Sequence, residues 1–358
     1  MARAATATIY LDAIRHNYRL AKQAHTAGKA LAIIKANGYG HGAVKVAKAL
    51  APEADGFGVA CIEEALELRE AGINQPILLL EGFFSADELP TISEQSLWCA
   101  VHSFDQIEFI AKAQLSKPIN VWLKMDSGMH RLGVKPSEYA KAYARLRALD
   151  NVSDIILMSH FACADEPQSK VTSTQIATFF EASQGINAPI SLANSAGLMA
   201  HKDARADWQR AGIMLYGATP FADSQSIADQ LKPAMSLTSQ VIAMREVPAG
   251  ESVGYGATWT SDAPRLIATV AMGYADGYPR HAQNGTPVLV DGYRVSLTGR
   301  VSMDMLSVDV TDVPNVHVGS HVELWGQNLK AAEVASYCDT IPYTLFTGIT
   351  RRVHKRYL

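Results

Sequence analysis

The sequence is poor in cysteine, and its few cysteines stand apart. Four occur among 358 residues, and no two have the short spacing of a zinc or redox motif: Cys61, Cys99, Cys163 and Cys338. This pattern excludes a disulfide framework and argues against a zinc site, so we predict no metal ligands. Isolated thiols suit a reducing compartment, which favours a cytoplasmic protein.

Long hydrophobic runs and an excess of one charge are also missing. No apolar run approaches the ~20 residues that span a bilayer, and residues 1–11 lack the apolar core of a signal peptide. The 32 basic and 35 acidic residues give a formal net charge of -3 and are scattered along the chain. We therefore predict neither a membrane segment nor a nucleic-acid partner, and we expect a small-molecule substrate.

What the sequence does have is a regular alternation of two patterns. Segments of helical periodicity separate eight short apolar runs, at 31–35, 56–60, 77–80, 97–101, 119–124, 155–160, 190–193 and 213–216. This alternation favours α/β architecture with a TIM-like (β/α)8 barrel over residues 10–231. A doubly wound open sheet is the alternative.

The pattern changes at about residue 232. Strand-length segments joined by glycine- and proline-rich turns follow, at 237–243, 266–271, 287–290, 306–310 and 321–324. One short helix is predicted at 331–337. We predict a C-terminal, mainly β domain of residues 232–358, which a first strand from residues 1–9 joins.

A lysine stands at the end of the first barrel run. Lys35 follows the apolar residues 31–34 and precedes a turn that contains Gly38, Gly40 and Gly42. A buried ammonium is costly, so this position favours an amine kept for chemistry such as a Schiff base, although an ion pair is the alternative. The glycines and the hydroxyl of Tyr39 could present donors to a phosphate.

Polar residues also follow other predicted barrel strands. Because the carboxyl ends of the strands form the active face of such a barrel, we expect these residues to converge. Asn194 and Ser195 open a predicted helix, whose free amides suit a phosphate. The convergent set is Lys35, Lys124 with Asp126 and Arg131, His160, Asn194 with Ser195, and Arg210 with Gly212.

Three turns of the predicted β domain carry further candidates. Tyr255 stands between two glycines at a hairpin-like turn, exposed enough to reach outward. The clusters 273–280 and 299–305 combine tyrosine, arginine and aspartate, which could line the mouth of a pocket.

Six segments, taken together, resemble the alanine racemase family nearly from end to end. They are Ile34–Gly42, Lys124–Gly133, Ala193–Ala196, Arg210–Gly217, Val253–Gly256 and Ser302–Met305. The resemblance implies a (β/α)8 barrel with a C-terminal β domain, pyridoxal 5'-phosphate as cofactor, and two-base racemisation of alanine. Lys35 would hold the cofactor and act as one base, and Tyr255 would be the other.

The resemblance also implies roles for the remaining candidates. Arg210 would face the pyridine nitrogen, and Lys124, often carbamylated in the family, would position Arg131 against the cofactor oxygen and the substrate carboxylate. Met303 and Asp304 would complete the substrate site. The other implied cofactor contacts are Tyr39, His160, Asn194, Ser195, Gly212, Ile213 and Tyr343, and the implied entrance residues are Asp165, Tyr274, Arg280 and Arg300.

A homodimer is implied as well, because Tyr255 and Met303–Asp304 act on the partner's site in the family. We expect Tyr255 to lie near His160 and Arg210, whose positive field would favour phenolate. The D-alanine would serve peptidoglycan synthesis or be consumed in catabolism.

The sequence departs from the family pattern at few places. Ser191 stands where many members carry histidine, and Thr344 and Thr347 stand in a segment where glutamate and cysteine are common.

Two other functions remain open. A barrel-type pyridoxal-phosphate decarboxylase would set an acidic residue against the ring nitrogen, and a pyridoxal-phosphate carrier would end near residue 230 without Tyr255.

Overall fold

The computed structural model describes residues 3–358, which form two compact units. The barrel unit comprises Arg15–Leu215 and Thr219–Leu231. The β unit comprises Lys232–Leu358, the short segment Tyr216–Ala218 and the N-terminal residues up to Ile14. Among the described residues, no helix combines the length and the apolar character that crossing a membrane requires.

Eight parallel strands form the sheet of the barrel unit. They pair in the order β8-β7-β6-β5-β4-β3-β2-β9. The strands are β2 (Lys29–Ile33), β3 (Gly56–Val59), β4 (Ile77–Leu79), β5 (Trp98–Val101), β6 (Ile119–Lys124), β7 (Val152–Met158), β8 (Ile190–Ser191) and β9 (Trp208–Ala211).

The sheet closes into a barrel, which confirms the predicted fold class and rules out the open sheet. Strand β9 pairs with β2 through residues 208–211, although β2 is the first strand of this sheet in the chain. Closure on the other side comes from the backbone N–H of Arg210, which donates to the carbonyl of Ala193 at 2.9 Å, just after β8.

The predicted position of the eighth strand was wrong. Residues 213–216 form a 3-10 turn, and the strand lies at Trp208–Ala211. This strand is fully buried yet contains Gln209 and Arg210, so it lacks the apolar run that marks the other strands. The barrel accepts the Arg210 side chain because hydrogen-bond acceptors surround its guanidinium group.

Helices connect the strands and pack their apolar faces against the sheet. Ser103 caps the N-terminus of one of them by accepting the N–H of Gln106, and buried Ile107 and Ile110 follow on one face. The helices are α1 (Leu11–Ala24), α2 (Lys35–Tyr39), α3 (Ala43–Leu50), α4 (Ile62–Glu70), α5 (Leu89–Glu94), α6 (Phe104–Lys112), α7 (Pro136–Arg147), α8 (Lys170–Ala182) and α9 (Ser195–Ala200).

A tryptophan cluster fills the amino-terminal end of the barrel. The rings of Trp98 and Trp208 meet edge to face at 5.3 Å, and Trp122 lies within 6.0 Å of both. The Nζ of Lys29 lies 5.2 Å from the centre of the Trp208 ring. This end is therefore packed, which leaves the carboxyl ends of the strands as the open face.

The β unit is built on one large sheet that closes on itself. Its order is β13-β16-β15-β14-β17-β10-β1-β18, and β10 also pairs with β13. Its strands are β1 (Thr6–Ile9), β10 (Met235–Val247), β13 (Arg265–Val270), β14 (Pro287–Val290), β15 (Tyr293–Leu297), β16 (Leu306–Asp309), β17 (His321–Trp325) and β18 (His354–Tyr357), with β11 (Ser252–Val253) and β12 (Trp259–Thr260) as a separate hairpin.

The first strand joins this sheet, as the sequence predicts. Thr6–Ile9 pairs antiparallel with residues 235–238 and parallel with residues 354–357. The pattern missed β15 and β18 because their residues are largely exposed and polar. Two helices complete the unit, α10 (Ala331–Ser336), which the sequence predicts, and α11 (Pro342–Thr347), which it does not.

We predict a large stability difference between two adjacent phenylalanines of α8. Phe179 is fully buried and packs 6.2 Å from the ring of Tyr139, whereas Phe180 is 45% exposed. Phe179→Ala should lower the free energy of unfolding by about 3–5 kcal/mol because it leaves a cavity. Phe180→Ala, the matched control, should change it by less than about 1 kcal/mol. Urea denaturation followed by tryptophan fluorescence measures both, and equal losses would contradict the assignment.

Candidate active site

Lys35 begins a short turn of left-handed helix. The φ angles of Ala36, Asn37 and Gly38 are 51°, 53° and 61°, and the turn ends at Gly40 with φ 77°. The N–H of Gly38 donates to the carbonyl of Ile34 at 2.7 Å, so the turn is hydrogen-bonded as a helix of the opposite hand. Each non-glycine residue in this conformation costs about 1–2 kcal/mol. The sequence indicated a glycine-rich turn but not its handedness.

Side chains from neighbouring segments hold this strained turn in place. Glu64 accepts the N–H of Ala36 at 2.6 Å and that of Ala60 at 2.8 Å. The Oδ1 of Asn37 accepts the N–H of Ala43 at 2.9 Å, which ties the turn to the start of α3. Strain that several contacts maintain is typical of a functional segment, and this one carries the lysine.

Tyr39, Ser195 and Gly212 converge on one small space. A Cβ at position 212 would lie 3.0 Å from the Tyr39 hydroxyl oxygen and 3.6 Å from the Ser195 Oγ, so only glycine leaves this space open. Burial raises the pKa of Tyr39 to about 12, which keeps its hydroxyl protonated. The three residues form a neutral, hydroxyl-lined cradle.

Ser195 has its proton available within this cradle. Its Oγ accepts the backbone N–H of Gly212 at 2.8 Å and that of Met214 at 3.3 Å. Because the oxygen is used as an acceptor, the hydroxyl proton is directed to a further partner. Asn194 caps α9 by accepting the N–H of Gly197 at 2.9 Å, and Ile213 follows Gly212 in the buried 3-10 turn.

Arg210 lies buried at the carboxyl ends of the barrel strands. Its Nη1 donates to the carbonyl and the Oγ of Ser191, at 2.9 and 2.7 Å. Its Nη2 donates to the carbonyls of Ser159 at 2.7 Å and Leu192 at 3.0 Å, and lies 3.3 Å from the Nδ1 of His160. Within residues 3–358, no carboxylate contacts this guanidinium and no bond uses its Nε. The Nε therefore remains available as a donor.

The charge of Arg210 shifts the pKa values of its neighbours. Burial and the charges of Arg210 and Arg131 lower the pKa of Lys124 to about 8. Burial, Arg210 and Lys124 lower the pKa of His160 well below its usual range, so this imidazole is neutral at pH 7. Lys35 contributes to both shifts. Lys35, Lys124, Arg131, His160 and Arg210 therefore share one electrostatic environment.

His160 does not supply the positive field that the sequence led us to expect. Because its pKa is lowered, only Arg210 of that pair is charged near neutral pH. The Nδ1 that faces Arg210 is an acceptor in the neutral ring, which fits the 3.3 Å contact.

Two residues of this environment escaped the sequence analysis. Glu81 follows β4 and raises the pKa of Lys124, opposing the larger lowering effects. His102 follows β5, and burial together with the charge of Lys124 lowers its pKa. Both residues follow a barrel strand, as the other candidates do. This position in the sequence was the signal from which they could have been predicted.

The loop after β6 presents Arg131. The carbonyl of Lys124 accepts the N–H of Val134 at 2.8 Å, so the loop returns to the strand from which it leaves. Asp126 accepts the N–H groups of Gly128 and His130 at 3.1 and 2.9 Å and thereby shapes the loop rather than facing a ligand. Arg131 is exposed at its far side, and Asp165 is exposed on the loop before α8.

The remaining candidates belong to the β unit. Tyr255 stands at the tip of the β11–β12 hairpin and is 69% exposed. Met303 is 52% exposed, and Asp304 follows it on the same loop. The other candidates in this unit are Tyr274, Arg280, Arg300 and Tyr343, the last of which lies in α11.

Two close approaches bind the candidate loops of the β unit together. A Cβ at Gly273 would overlap the carbonyl of Met303, so the turn that carries Tyr274 touches the Met303 loop. A Cβ at Gly256 would lie 3.5 Å from Nη1 of Arg300, so the Tyr255 hairpin adjoins the same region. These loops form one exposed face.

The fold and the convergent basic cluster define an enzyme of the (β/α)8-barrel class with its chemistry at the strand ends. Residues 9–220 match the description "Alanine racemase, N-terminal domain", and residues 234–357 match "Alanine racemase, C-terminal domain". The chain belongs to the alanine racemase family and is an amino acid racemase, as the resemblance implied.

Similar proteins carry the same name over their whole length. The chain is 59% identical to "Alanine racemase" of Pseudomonas taetrolens and 59% identical to "Alanine racemase, catabolic" of Pseudomonas putida, covering 99% of each chain in both cases. The crystal structure of biosynthetic alanine racemase from Pseudomonas aeruginosa is similar with a TM-score of 0.97 and 50% identity, again covering 99% of each chain. The chain is thus similar both to a relative named catabolic and to a structure named biosynthetic.

We predict that Lys124 is unusually nucleophilic at pH 8. A lowered pKa leaves about half of its amine neutral there, whereas an unperturbed lysine has a pKa of about 10.4. Competitive acetylation across pH 6–11 in bicarbonate-free buffer, read by peptide mass spectrometry, should give half-maximal labelling near pH 8. Arg210→Met should move that midpoint upwards, and the exposed Lys48 serves as the reference site. A midpoint near 10 in the unsubstituted protein would contradict the lowered pKa.

Proposed function

We propose that the chain interconverts L- and D-alanine with pyridoxal 5'-phosphate, using Lys35 and Tyr255 as its two bases. The observation that carries the proposal is the cradle of Tyr39, Ser195 and Gly212 beside the same barrel end as Lys35 and Arg210. Its available hydroxyl proton and its open space at Gly212 fit a phosphate group. The cofactor, when bound, stabilises the negative charge that develops when the alanine Cα–H is removed.

Each of the candidate cofactor contacts would have a distinct role. Lys35 would bind it covalently through its amine, and the Arg210 Nε would donate to the ring nitrogen. Asn194 and His160 would support the cradle and the guanidinium by the contacts described above. Tyr39, Ser195, Gly212, Ile213 and Tyr343 would hold the phosphate.

Two bases are needed because inversion removes a proton from one face of Cα and returns one to the other. Lys35 would act on one face, and Tyr255 of the partner subunit would act on the opposite face. The exposure of Tyr255 on its hairpin supports a role outside its own chain. The charge of Arg210 would favour the phenolate form of Tyr255. The neutral ring of His160 would accept a hydrogen bond from the Arg210 guanidinium and would not repel it.

Arg131 and the exposed loop of the β unit would bind the substrate. Arg131 would hold the substrate carboxylate and the cofactor oxygen, and Met303 and Asp304 of the partner subunit would close the site. Lys124, whose amine is partly neutral near pH 8, would be carbamylated by carbon dioxide and would then position Arg131 by its new negative charge. Asp165, Tyr274, Arg280 and Arg300 would line the entrance.

The proposed enzyme is a cytoplasmic homodimer. It would supply D-alanine for peptidoglycan or consume D-alanine in catabolism, and the relatives named biosynthetic and catabolic support both roles. Disrupting the gene distinguishes the two roles. If the role is biosynthetic, growth will depend on added D-alanine. If the role is catabolic, the cells will not grow on alanine as carbon source.

Mixing two inactive variants tests the shared site. We expect Lys35→Met and Tyr255→Phe to be inactive as homodimers because each of their sites lacks one base. A mixed dimer has one site with both bases, so random exchange should restore about a quarter of the full activity. Racemisation is followed by polarimetry after denaturant-assisted subunit exchange. If the mixture stays inactive although subunits have exchanged and the Tyr255→Phe subunit binds cofactor, Tyr255 does not act across subunits.

Removing the charge of Arg210 tests its role in selectivity. Arg210→Gln keeps hydrogen-bond donors for the surrounding carbonyls but has no positive charge. We expect cofactor binding to persist, racemisation to fall about a hundredfold, and the fraction of turnovers that yield pyruvate to rise. Absorbance reports the cofactor, and a coupled reductase reports pyruvate. Arg210→Lys, which keeps the charge, is the control, and unchanged partitioning in Arg210→Gln would refute the role.

A further inference from the structure

Two arginines from opposite ends of the chain bind one buried carboxylate in the β unit. Asp276 is fully buried, and its Oδ1 and Oδ2 accept from the Nε and Nη2 of Arg3 at 3.2 and 2.5 Å. The Nε of Arg352 lies 3.4 Å from the same Oδ1. The N–H of Gly273 donates to Oδ2 at 2.9 Å. A buried carboxylate with these partners is fully compensated.

The same two arginines also hold Asp304. The Nη2 of Arg352 donates to its Oδ1 at 2.6 Å, and the Nη2 of Arg3 donates to its backbone carbonyl at 2.8 Å. Both the side chain and the main chain of Asp304 are therefore fixed to Asp276 through a guanidinium bridge.

The backbone around Asp304 is fixed just as closely. The N–H of Tyr274 donates to the carbonyl of Ser302, and that of Ala275 donates to the carbonyl of Met303, both at 3.0 Å. Met303 nevertheless keeps 52% of its surface exposed. An exposed side chain on a loop restrained from both directions is suited to a contact that needs an exact position.

We propose that Arg352 is a positioning residue, which, with Asp276 and Arg3, sets where Met303 and Asp304 meet the alanine in the partner's site. This inference rests on the proposed function, because it requires the Met303 loop to contact substrate. Arg352 touches neither base, so its loss should weaken substrate binding more than proton transfer. A loosened loop should also discriminate less against serine, which is larger than alanine by one oxygen.

Arg352→Met is the informative variant because it should fold. Arg3 and the Gly273 N–H still compensate Asp276, and an ion pair whose partners are 37% and 47% exposed adds little stability. We expect KM for alanine to rise about tenfold, kcat to stay within about threefold, and Tm to change by less than about 3 °C. Arg352→Lys should recover part of the lost affinity, and the serine-to-alanine ratio of kcat/KM should rise.

A matched control removes a comparable ion pair of the same unit. Arg294 bridges Glu333 at 2.5 Å with 53% and 39% of the two side chains exposed. Arg294→Met should leave KM and kcat unchanged. Equal effects of Arg294→Met and Arg352→Met, or a fall in kcat alone for Arg352→Met, would overturn the inference.

A second readout does not depend on turnover. Propionate has the carboxylate and the size of alanine but lacks its amine, so its binding to the holoenzyme reports the substrate pocket. We expect its Kd, measured by calorimetry, to rise about as much as KM in Arg352→Met. An unchanged Kd would overturn the inference.

Asp304→Ala separates failure of the inference from failure of the proposed function. If Asp304→Ala and Met303→Ala leave KM unchanged, the proposed substrate role of this loop is wrong. If they raise KM while Arg352→Met does not, the substrate role stands and the positioning role is wrong. If positioning is right, Arg352→Met should add less than twofold to the KM of Asp304→Ala, because the two residues act through one contact.

Discussion

The site of this protein depends on one positive charge that is buried without a carboxylate. Arg210 is surrounded by three carbonyls, a serine hydroxyl and a neutral imidazole, so its charge is solvated by dipoles and not cancelled. Its field reaches Lys124 and His160 and disfavours their protonation. A pocket with this surplus of positive potential suits ligands that bring phosphate and carboxylate groups. The barrel supplies the rigid frame that makes such an uncompensated charge tolerable.

The sequence predicted the architecture because most barrel strands are apolar and regularly spaced. It failed at Trp208–Ala211, because this buried strand carries two polar side chains, Gln209 and Arg210. Because this strand carries Arg210 to the site, it lacks the apolar pattern that would have located it. β15 and β18 were missed for a different reason, since most of their residues are exposed and polar and form no apolar run.

The candidate residues were easier to predict than the geometry that connects them. Lys35 and His160 were found because each ends a predicted strand, whereas Arg210 was found beside Gly212, just before the predicted run at 213–216. The charges of Lys35 and Arg210 both lower the pKa of His160, so the three residues share one environment. The left-handed turn at Ala36–Gly40 was not predicted, because glycine and asparagine adopt that conformation as single residues and alanine rarely adopts it. Tertiary contacts from Glu64 impose it. Local sequence cannot report a conformation that a distant side chain enforces.

The position of strand β1 has a consequence for synthesis of the chain on the ribosome. β1 is made first, yet its partners are residues 235–238 and 354–357. The barrel unit can close from contiguous chain, whereas β1 must wait for residues that emerge after the barrel. At about 5–20 residues per second, residues 10–234 take roughly 11–45 s to appear. During that interval β1 is an unpaired strand, so nascent chains are most exposed to mispairing and to chaperone binding before residues 235–238 are made.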